Sequence, residues 1–576
     1  MRILLLTHSF NSLTQRLFAE LREDGHEVSV EFDIADSVAE EAVALFAPEV
    51  IVAPFLKRAV PESIWRRHLT LIVHPGIVGD RGPSALDWAI LNGEATWGVT
   101  VLQAEAEMDA GPIWATREFP LRAAPKASLY RNEVSAGALA AVREALARVA
   151  DWRAGRWAPT ALASWPNARG QWRELMRQAD RRIDWLQDST ATVLSKIRAA
   201  DGFPGVADAL FGEPCQLFDA QSGTAPADAV PGTVIGRRDG ALLRATVDGA
   251  VWIGHVKRGG SEHPFKLPAT LAFADQAASV PRVDTDPEAA EIGYRESDDG
   301  MVGFLRFDFT NGAMATEQCV RLREAIEAAG ARPTRVLVLE GGRDFWSNGI
   351  HLNVIEAAES PADESWANIN AMNDVCLVLL TLTGKRTVAA MRGNVGAGGC
   401  FLALAADAVW AREGVVMNPH YKNMGNLFGS EYWSYLLPRR VGEAAGRRIM
   451  GDRLPLLARR AAAIGLIDAC FGATPEAFAA EVAARAAALA ADPALPEHLA
   501  DKAARRAADE ADKPLADYRA EELRHMQRNF YGFDPSYHVA RYHFVLKSPQ
   551  SWTPRHLARH RDLGWQVPAT EESAAV

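Results

Sequence analysis

The amino-acid sequence predicts an α/β protein in which a small β-barrel separates two α/β units. Strand-like and helix-like segments alternate with short loops over about the first 110 residues, a pattern typical of an open, largely parallel sheet. From about residue 168 to 273 the chain changes to short strands punctuated by glycines, which favours a small barrel. A second strand–helix alternation begins near residue 301.

The N-terminal unit is assigned to residues 1–160. Its predicted strands are Arg2–Thr7, Val28–Phe32, Val50–Ala53 and Thr70–Val73. Amphipathic segments near residues 12–24, 38–46 and 61–68 are predicted to be the intervening helices. Ligands bind at the carboxyl ends of strands in such sheets. His8 and His74 follow predicted strands and are therefore placed at that edge.

Four further segments complete the predicted organisation. Residues 161–276 are expected to form a helical connector (171–200) followed by the barrel. Residues 277–299 hold seven carboxylates and two prolines and are predicted to be a linker. Residues 300–475 form the second α/β unit, with strands at Phe304–Phe309, Arg335–Leu339 and Thr387–Met391. The Ala-, Glu- and Arg-rich residues 476–576 are predicted to be a helical C-terminal extension.

Composition narrows the class of protein. The 576 residues are 48% hydrophobic and 23% charged, with a net charge of −11, which argues against bulk nucleic-acid binding. No run of about 18 apolar residues occurs, so no membrane span is expected. The five cysteines are dispersed, and the histidines show no ligand spacing with Cys or carboxylates. We therefore expect a soluble cytoplasmic protein without a metal site.

His74 and Asp109 form the first candidate catalytic pair. His74 precedes a Gly/Pro-rich loop, and Asp109 follows 35 residues later. Acyl transfer from an amine needs a proton donor for the leaving nitrogen and a group that stabilises the oxyanion. A histidine positioned by an aspartate can supply the proton near neutral pH.

The surroundings of this pair resemble formyltetrahydrofolate-dependent formyltransferases. The matching residues are His74, Arg81-Gly82-Pro83, Ala89-Ile90, Gly93, Trp97-Gly98-Val99-Thr100 and Asp109-Ala110-Gly111. The resemblance continues to about residue 260 and implies an OB-like barrel. One position departs from it, because Ile72 stands where those enzymes have an asparagine that binds the formyl oxygen. A thiolate acceptor would need less help from that amide, because it is a strong nucleophile.

Two glycine-rich turns in the second α/β unit form the other candidate site. The stretch from Phe345 to Leu352 follows a strand and precedes a predicted helix, and the stretch from Gly393 to Cys400 does the same. Glycine-rich turns let backbone amides face a ligand. Two such amides aimed at one carbonyl oxygen form an oxyanion hole.

These turns resemble those of the enoyl-CoA hydratase/isomerase (crotonase) superfamily over residues 300–475. The resemblance implies an acyl-CoA pocket whose oxyanion hole is formed by the amides of Ile350 and Gly398. The positions of the two hydratase carboxylates are here Phe401 and His420, so hydration of an enoyl thioester is not expected. Tyr421 and Glu431 remain as candidate proton-transfer groups.

Three stretches carry a resemblance that spans both halves: Ile72-Val73-His74-Pro75-Gly76-Ile77, Gly79-Asp80-Arg81-Gly82-Pro83-Ser84 and the aromatic tail Tyr531–Arg541. With them, the two halves together resemble the hydrogenase maturation proteins of the HypX (HoxX) family. That resemblance implies transfer of a formyl group from formyltetrahydrofolate to coenzyme A, followed by release of carbon monoxide for a NiFe-hydrogenase. It also implies small-molecule substrates and contact with hydrogenase assembly proteins. Coenzyme A needs cationic or polar ligands for its phosphates. Candidates are Gln15, Arg16, Arg131, Lys196, Arg198 and Arg541.

Two alternatives stay open at this point. The His74–Asp109 pair could instead activate water, which would make the protein a formyl-folate or formyl-CoA hydrolase that releases formate. The missing asparagine and hydratase carboxylates also fit a non-catalytic assembly factor that binds coenzyme A or folate. The products formed, and the effect of replacing His74, distinguish these alternatives.

Overall fold

In the computed structural model, which describes residues 1–562, the chain forms two compact units. Residues 1–180 together with 549–562 form the first, and residues 181–548 form the second. Residues 563–576 of the predicted C-terminal extension lie outside the described residues. Within 1–562, no helix is both long enough and apolar enough to cross a membrane.

The first unit contains a six-stranded sheet. In sheet order its strands are Glu27–Phe32, Arg2–Thr7, Val50–Phe55, Thr70–His74, Thr96–Gln103 and Ile113–Pro120. The first four run parallel, and the last two form an antiparallel hairpin at one edge. The helices around the sheet are Ser12–Glu23, Asp36–Phe46, Glu62–Trp65, Ala85–Leu91, Lys126–Leu129 and Ser135–Arg153, with a π-helical turn at Tyr130–Val134.

Residues 549–562 belong to this first unit rather than to a helical extension. Their backbone runs beside the edge strand Glu27–Phe32. Val30 N donates to Leu557 O over 3.0 Å, and Phe32 N donates to Thr553 Oγ1 over 2.8 Å. Edge strands otherwise leave such backbone groups unpaired. The tail therefore completes the N-terminal unit.

The predicted helical connector at 171–200 is helical only over Thr190–Ala200. The residues before this helix use their backbone groups elsewhere. Gly170 N donates to Val78 O and Arg173 N donates to Arg81 O. These amides are hydrogen-bonded to a loop of the N-terminal unit, so they are satisfied without helical hydrogen bonds.

The second unit begins with the barrel. Its strands are Val206–Leu210, Glu213–Gly223, Val234–Arg238, Ala241–Ala245, Ala250–Arg258 and Leu267–Pro268, all antiparallel to their neighbours. The helix Thr190–Ala200 packs Val193 and Ile197 into the barrel core. The short helices Ala269–Ala272 and Ala274–Ala278 follow the last strand.

The crotonase-like part is built on another six-stranded sheet. In sheet order its strands are Ile292–Glu296, Val302–Phe307, Val336–Glu340, Arg386–Met391, Ala408–Arg412 and Ala469–Phe471. Only the first pair is antiparallel. Since Ile292–Glu296 lies inside the segment predicted to be a linker, 277–299 supplies an edge strand rather than only a connection.

Helices and short strands complete the second unit. The helices are Thr316–Gly330, Leu352–Ala357, Pro361–Thr381, Gly398–Leu404, Trp433–Val441, Glu443–Asp452, Ala458–Ala463, Pro475–Ala491, Leu495–Asp512, Leu515–Tyr531 and Ser536–Val545. The short strands are Ala313–Met314, Gly349–Ile350, Val395–Gly396, Val416–Asn418 and Leu456–Leu457. Met526, Phe530 and Tyr537 of the last two helices are buried in the same core as the sheet. These helices are thus part of the crotonase-like core.

Candidate active sites

His74 is the last residue of the strand Thr70–His74, one residue beyond the predicted strand end at Val73. Its side chain is 5% exposed. The loop that follows is fixed by two hydrogen bonds from the neighbouring strand. Trp97 Nε1 donates to Pro75 O over 2.9 Å, and Thr100 Oγ1 donates to Gly76 O over the same distance. The ring of His74 is therefore held beneath an anchored loop.

This loop also brings the carboxylate of Asp80 to His74, a contact that was not predicted from the sequence. Oδ2 of Asp80 lies 3.0 Å from Nε2 of His74, and the Asp80 side chain is fully buried. Gly76 lies directly against this contact, where a Cβ would overlap both the His74 ring and the Asp80 carboxylate. Only glycine fits there without displacing the pair. An acidic residue in a Gly/Pro-rich loop beside a histidine is the signal that could have identified Asp80.

Asp109 contacts the other nitrogen of the ring. Its Oδ2 lies 3.4 Å from Nδ1 of His74 and accepts a hydrogen bond from Gly82 N over 3.2 Å. Asp109 has a φ of 54°, a left-handed conformation that aspartate tolerates better than most residues. The structure thus brings together the two residues that the sequence paired.

Arg173 completes the buried charge cluster. Its Nε donates to Asp80 Oδ1 over 2.9 Å, and its guanidinium lies over the ring of Trp97. Burial disfavours the charged form of His74, but the hydrogen bond with Asp80 and the charges of Asp109 and Asp80 outweigh it. The pKa of His74 is therefore raised above its ordinary value. The site is suited to hold a proton on the ring.

The two glycine-rich turns of the second unit are joined to each other. Trp346 N donates to Asn394 O over 2.8 Å, and Gly396 N donates to Ser347 O over 2.9 Å. Gly349 has a φ of 82°, and a Cβ on it would lie 3.3 Å from Gly398 N. Ile350 therefore ends its short strand close to Gly398, the first residue of the helix Gly398–Leu404. The two predicted oxyanion-hole amides belong to adjacent turns.

Tyr421 and Glu431 form a buried pair beside Gly398. The Tyr421 hydroxyl donates to Glu431 Oε2 over 2.6 Å, and the two residues are 5% and 1% exposed. A Cβ on Gly398 would overlap the Glu431 carboxyl group, so this carboxyl lies against the turn. Phe401, which the sequence resemblance predicts at a hydratase carboxylate position, stacks on the Tyr421 ring with centroids 5.6 Å apart. The Glu431 carboxyl group beside Gly398 is thus paired with a phenol.

Burial dominates the electrostatics of this pair. It raises the pKa of Glu431 to about 8, although the Tyr421 hydrogen bond lowers it and the nearby charge of Glu522 raises it further. Burial and the charge of Glu431 together hold the pKa of Tyr421 well above its ordinary value. A carboxyl group with a pKa this close to neutral can both accept and return a proton during turnover.

Two further polar residues of this site come from distant helices. Asn373, in the helix Pro361–Thr381, accepts a hydrogen bond from Glu431 N over 2.7 Å. Glu522, in the helix Leu515–Tyr531, accepts one from Tyr432 N over 3.0 Å. Neither residue belongs to a motif of the sequence, and the helical pattern indicates only that these helices have a buried face.

His420 is also buried, at 6% exposure.

Three of the predicted coenzyme A ligands lie in the first unit. Gln15 and Arg16 are in the helix Ser12–Glu23, which contacts the π-helical turn that carries Arg131. Gln15 Nε2 donates to Phe10 O over 2.9 Å. π-Helical turns are frequent at functional sites. Gln15, Arg16 and Arg131 therefore lie on two elements that contact each other.

The other three predicted ligands lie in the second unit. Lys196 and Arg198 are in the helix Thr190–Ala200, and Lys196 Nζ lies 2.6 Å from Asp188 Oδ2. Arg541, in the last helix of this unit, is paired with Glu356 over 2.6 Å and is 3% exposed. The charges of Lys196 and Arg541 are therefore already balanced by carboxylates.

Comparison with known protein families gives three matches along the chain. Residues 1–145 match the formyl transferase family, residues 175–264 match the formyl transferase C-terminal domain, and residues 310–553 match enoyl-CoA hydratase/isomerase. The chain is also 35% identical over 193 residues to a methionyl-tRNA formyltransferase of Roseiflexus castenholzii, which covers 33% of this chain and 58% of that protein. Both resemblances drawn from the sequence are confirmed.

Two relatives extend over nearly the whole chain. The hydrogenase maturation factor HoxX of Bradyrhizobium diazoefficiens is 56% identical over 562 residues, which is 97% of both proteins. The crystal structure of HypX from Aquifex aeolicus in complex with tetrahydrofolic acid has a TM-score of 0.93 and 47% identity, and the match covers 98% of this chain and 100% of that one. The chain therefore belongs to the HypX (HoxX) family of hydrogenase maturation factors.

Proposed function

We propose that this protein transfers the formyl group of formyltetrahydrofolate to coenzyme A and then converts formyl-CoA to carbon monoxide and free coenzyme A. The carbon monoxide would serve as a ligand of a NiFe-hydrogenase. The observation that carries this proposal is the buried Tyr421–Glu431 pair against Gly398. It lies in a crotonase-like fold that lacks a hydratase carboxylate at Phe401, in a chain that also has a formyltransferase domain.

At the first site, His74 is the proton donor for the folate nitrogen that leaves. Asp80 and Asp109 stabilise the protonated ring from its two sides. Coenzyme A supplies the thiol group: its sulfur loses the S–H proton and bonds to the formyl carbon as the C–N bond to folate breaks. The proton lost by sulfur replaces the one that His74 gives to the leaving nitrogen, so the step consumes no net proton. A thiolate attacks readily, which compensates for the hydrogen-bond donor that Ile72 cannot provide. Gln15, Arg16 and Arg131 are the residues of this unit that we propose as ligands of its phosphates.

At the second site, Glu431 takes the formyl hydrogen as a proton. The electron pair of the C–H bond becomes the carbon lone pair of carbon monoxide, and the electron pair of the C–S bond leaves with sulfur. Glu431 then returns the proton to sulfur, so the step consumes no net proton. Tyr421 stabilises the ionised form of Glu431 by its hydrogen bond. The amides of Ile350 and Gly398 hold the carbonyl oxygen.

The test is carbon monoxide release by the purified protein, detected by deoxyhaemoglobin, with formyltetrahydrofolate and coenzyme A as substrates. Release should require both substrates and should fail in His74→Ala and in Glu431→Gln. When synthetic formyl-CoA is supplied instead, His74→Ala should release carbon monoxide at the wild-type rate and Glu431→Gln should not. This pattern would assign one chemical step to each site.

Other outcomes would replace the proposal. Formate without carbon monoxide would indicate a hydrolase in which the His74–Asp109 pair activates water. If neither product forms and His74→Ala supports hydrogenase maturation in cells as well as the wild type does, the protein is a non-catalytic assembly factor. Inclusion of a hydrogenase assembly partner in the assay tests whether release needs that partner.

A further inference from the structure

Glu522 is a buried carboxylate that the proposed chemistry does not use. It lies within the helix Leu515–Tyr531 and is 1% exposed. Both of its oxygens accept hydrogen bonds from the segment that carries Glu431. Oε2 accepts from Tyr432 N over 3.0 Å and from Ser430 Oγ over 3.3 Å. Oε1 accepts from Ser434 N over 2.8 Å and from Ser434 Oγ over 2.6 Å.

The segment held by Glu522 has a strained backbone. Glu431 and Tyr432 have φ values of 61° and 59°, so two consecutive non-glycine residues are in the left-handed region. Such conformations persist only where the surroundings fix them. Asn373 Oδ1 accepts from Glu431 N on one side, and Glu522 accepts from Tyr432 N on the other. The two residues together fix the direction in which the Glu431 side chain points.

We propose that Glu522 is a positioning residue of the second site, which holds Glu431 in its left-handed conformation and acts on the Glu431 carboxyl group through its own negative charge. This inference rests on the proposed role of Glu431 in releasing carbon monoxide. The helix that carries Glu522 would thus contribute to the chemistry of the second site, although it is far along the chain from both glycine-rich turns.

The electrostatics of the pair agree with this role. Burial raises the pKa of Glu522 to about 7, against the effect of its hydrogen bonds from Ser434, Tyr432 and Ser430. The charge of Glu522 in turn raises the pKa of Glu431. Among the described residues, Tyr421, Cys319 and Cys376 also interact with the pair. Asp374 and Arg519 act on these cysteines and on Tyr432, the residue that follows Glu431.

Loss of the Glu522 charge should change the pH dependence of carbon monoxide release. A base must be ionised to act, so activity is lost as the pH falls through the pKa of Glu431. Removing the negative charge of Glu522 lowers the pKa of Glu431, because one source of repulsion disappears. The low-pH limb of carbon monoxide release should then move to lower pH. A residue that merely supports the fold would change the rate without moving this limb.

The experiment compares the full-length wild type with Glu522→Gln, Glu522→Asp and Glu521→Gln, with formyl-CoA supplied directly. Glu522→Gln should move the low-pH limb down by about one pH unit. Glu522→Asp keeps the charge but shortens the side chain, so it should lower the rate roughly 10²-fold while the limb stays in place. Glu521, the neighbouring residue, is exposed and pairs with Lys513, so Glu521→Gln should behave as the wild type.

A second measurement does not depend on activity. The infrared absorption of protonated carboxyl groups is followed against pH, and Glu431→Gln identifies the Glu431 signal. In Glu522→Gln the Glu431 signal should titrate at lower pH than in the wild type. If it titrates at the wild-type pH, the inference is overturned, whether or not carbon monoxide is formed. If the wild type releases no carbon monoxide, the proposed function fails instead, and the infrared titration still decides whether Glu522 acts on Glu431.

Discussion

Oδ2 of Asp80 lies 3.0 Å from Nε2 of His74, on the opposite edge of the ring from Asp109. The imidazole is therefore flanked by two carboxylates, and Arg173 bonds to the outer oxygen of Asp80. Asp80 has a protein partner on each oxygen, whereas Asp109 is partly exposed at 13%. Asp80 is therefore fixed on both oxygens, and its hydrogen bond acts with the charges of both carboxylates to raise the pKa of His74 against the effect of burial.

Asp80→Asn should make His74 easier to deprotonate. The hydrogen bond and the charge of Asp80 both raise the pKa of His74, so their loss lowers it. If protonated His74 is the active form, formyl transfer is lost as pH rises through this pKa. The high-pH limb should therefore move to lower pH in a formyl-CoA formation assay.

Asp151→Asn is the matched control for this change. Asp151 lies on the same unit but is exposed and pairs only with the exposed Arg156 among the described ion pairs, so its replacement should leave the pH profile unchanged. An Asp80→Asn protein with the wild-type high-pH limb would show that Asp80 does not act on the protonation of His74.

The sequence predicted the first site in part. A histidine at a strand end and an aspartate in a later loop were paired, and the structure places them 3.4 Å apart. Asp80 lies inside the stretch from Gly79 to Ser84 that resembles the HypX (HoxX) family, but the sequence indicates no role for it. Arg173 is 93 residues from Asp80, in a stretch expected to be helical. Its contact depends on irregular backbone that pairs with another loop, which side-chain periodicity cannot indicate.

The two α/β units were predicted more completely than the segments that connect and follow them. The two α/β units are confirmed, and the segment predicted to be a barrel forms an antiparallel sheet, because strand and helix periodicity report burial directly. The tail differs from the predicted helical extension, because residues 549–562 pair with a strand more than 500 residues earlier. Pairing between such distant segments leaves no local pattern. Glu522 was missed for the same reason, because a buried carboxylate in an amphipathic helix resembles an exposed one in sequence.

Tyr421→Phe should move the low-pH limb of carbon monoxide release in the direction opposite to Glu522→Gln. The Tyr421 hydrogen bond lowers the pKa of Glu431, so its loss raises that pKa. The ionised base then appears only at higher pH, and the limb moves up. The maximal rate should also fall, because the hydroxyl that stabilises the carboxylate is gone. The measurement is the rate from supplied formyl-CoA against pH.

Tyr435→Phe is the control for the loss of a buried phenol. The Tyr435 hydroxyl bonds to Asp509 and Arg506 and makes no recorded bond to Glu431. In this variant the low-pH limb of carbon monoxide release should lie at the same pH as in the wild type. A limb that moves down in Tyr421→Phe would mean that Tyr421 does not stabilise the ionised carboxylate.

Gly398→Ala should disable the second site without affecting the first. The added Cβ would overlap the carboxyl group of Glu431, which Tyr421 and Ser430 hold in place. Displacement of a reacting group by about 1 Å can cost roughly 10²-fold in rate. We expect such a loss in carbon monoxide release, with formyl-CoA formation from formyltetrahydrofolate unchanged.

Gly384→Ala is the control, because a Cβ on Gly384 has no atom within 4 Å among the described residues. Equal rates for the two variants would contradict the placement of Glu431 against this turn.

His560→Ala should weaken the N-terminal unit through its edge strand. Nε2 of His560 lies 2.8 Å from Glu31 Oε2, and Nδ1 lies 2.7 Å from Ser29 Oγ. Glu31 is fully buried. Burial alone would raise its pKa, but hydrogen bonds with His560 and Thr553 and the charge of Arg561 lower it overall. This stabilisation is present above the ordinary pKa of a glutamate and is lost as pH falls through the lowered pKa.

The variant leaves buried polar groups without one partner, which should cost about 2 kcal/mol in free energy of unfolding. It should also reduce the loss of stability on acidification. Hydrogen–deuterium exchange resolves the effect by segment, and residues 27–32 should exchange faster in His560→Ala. Arg559→Ala, which changes an exposed residue of the same turn, should exchange as the wild type does. Unchanged exchange at residues 27–32 in His560→Ala would mean that the tail covers this strand without stabilising it.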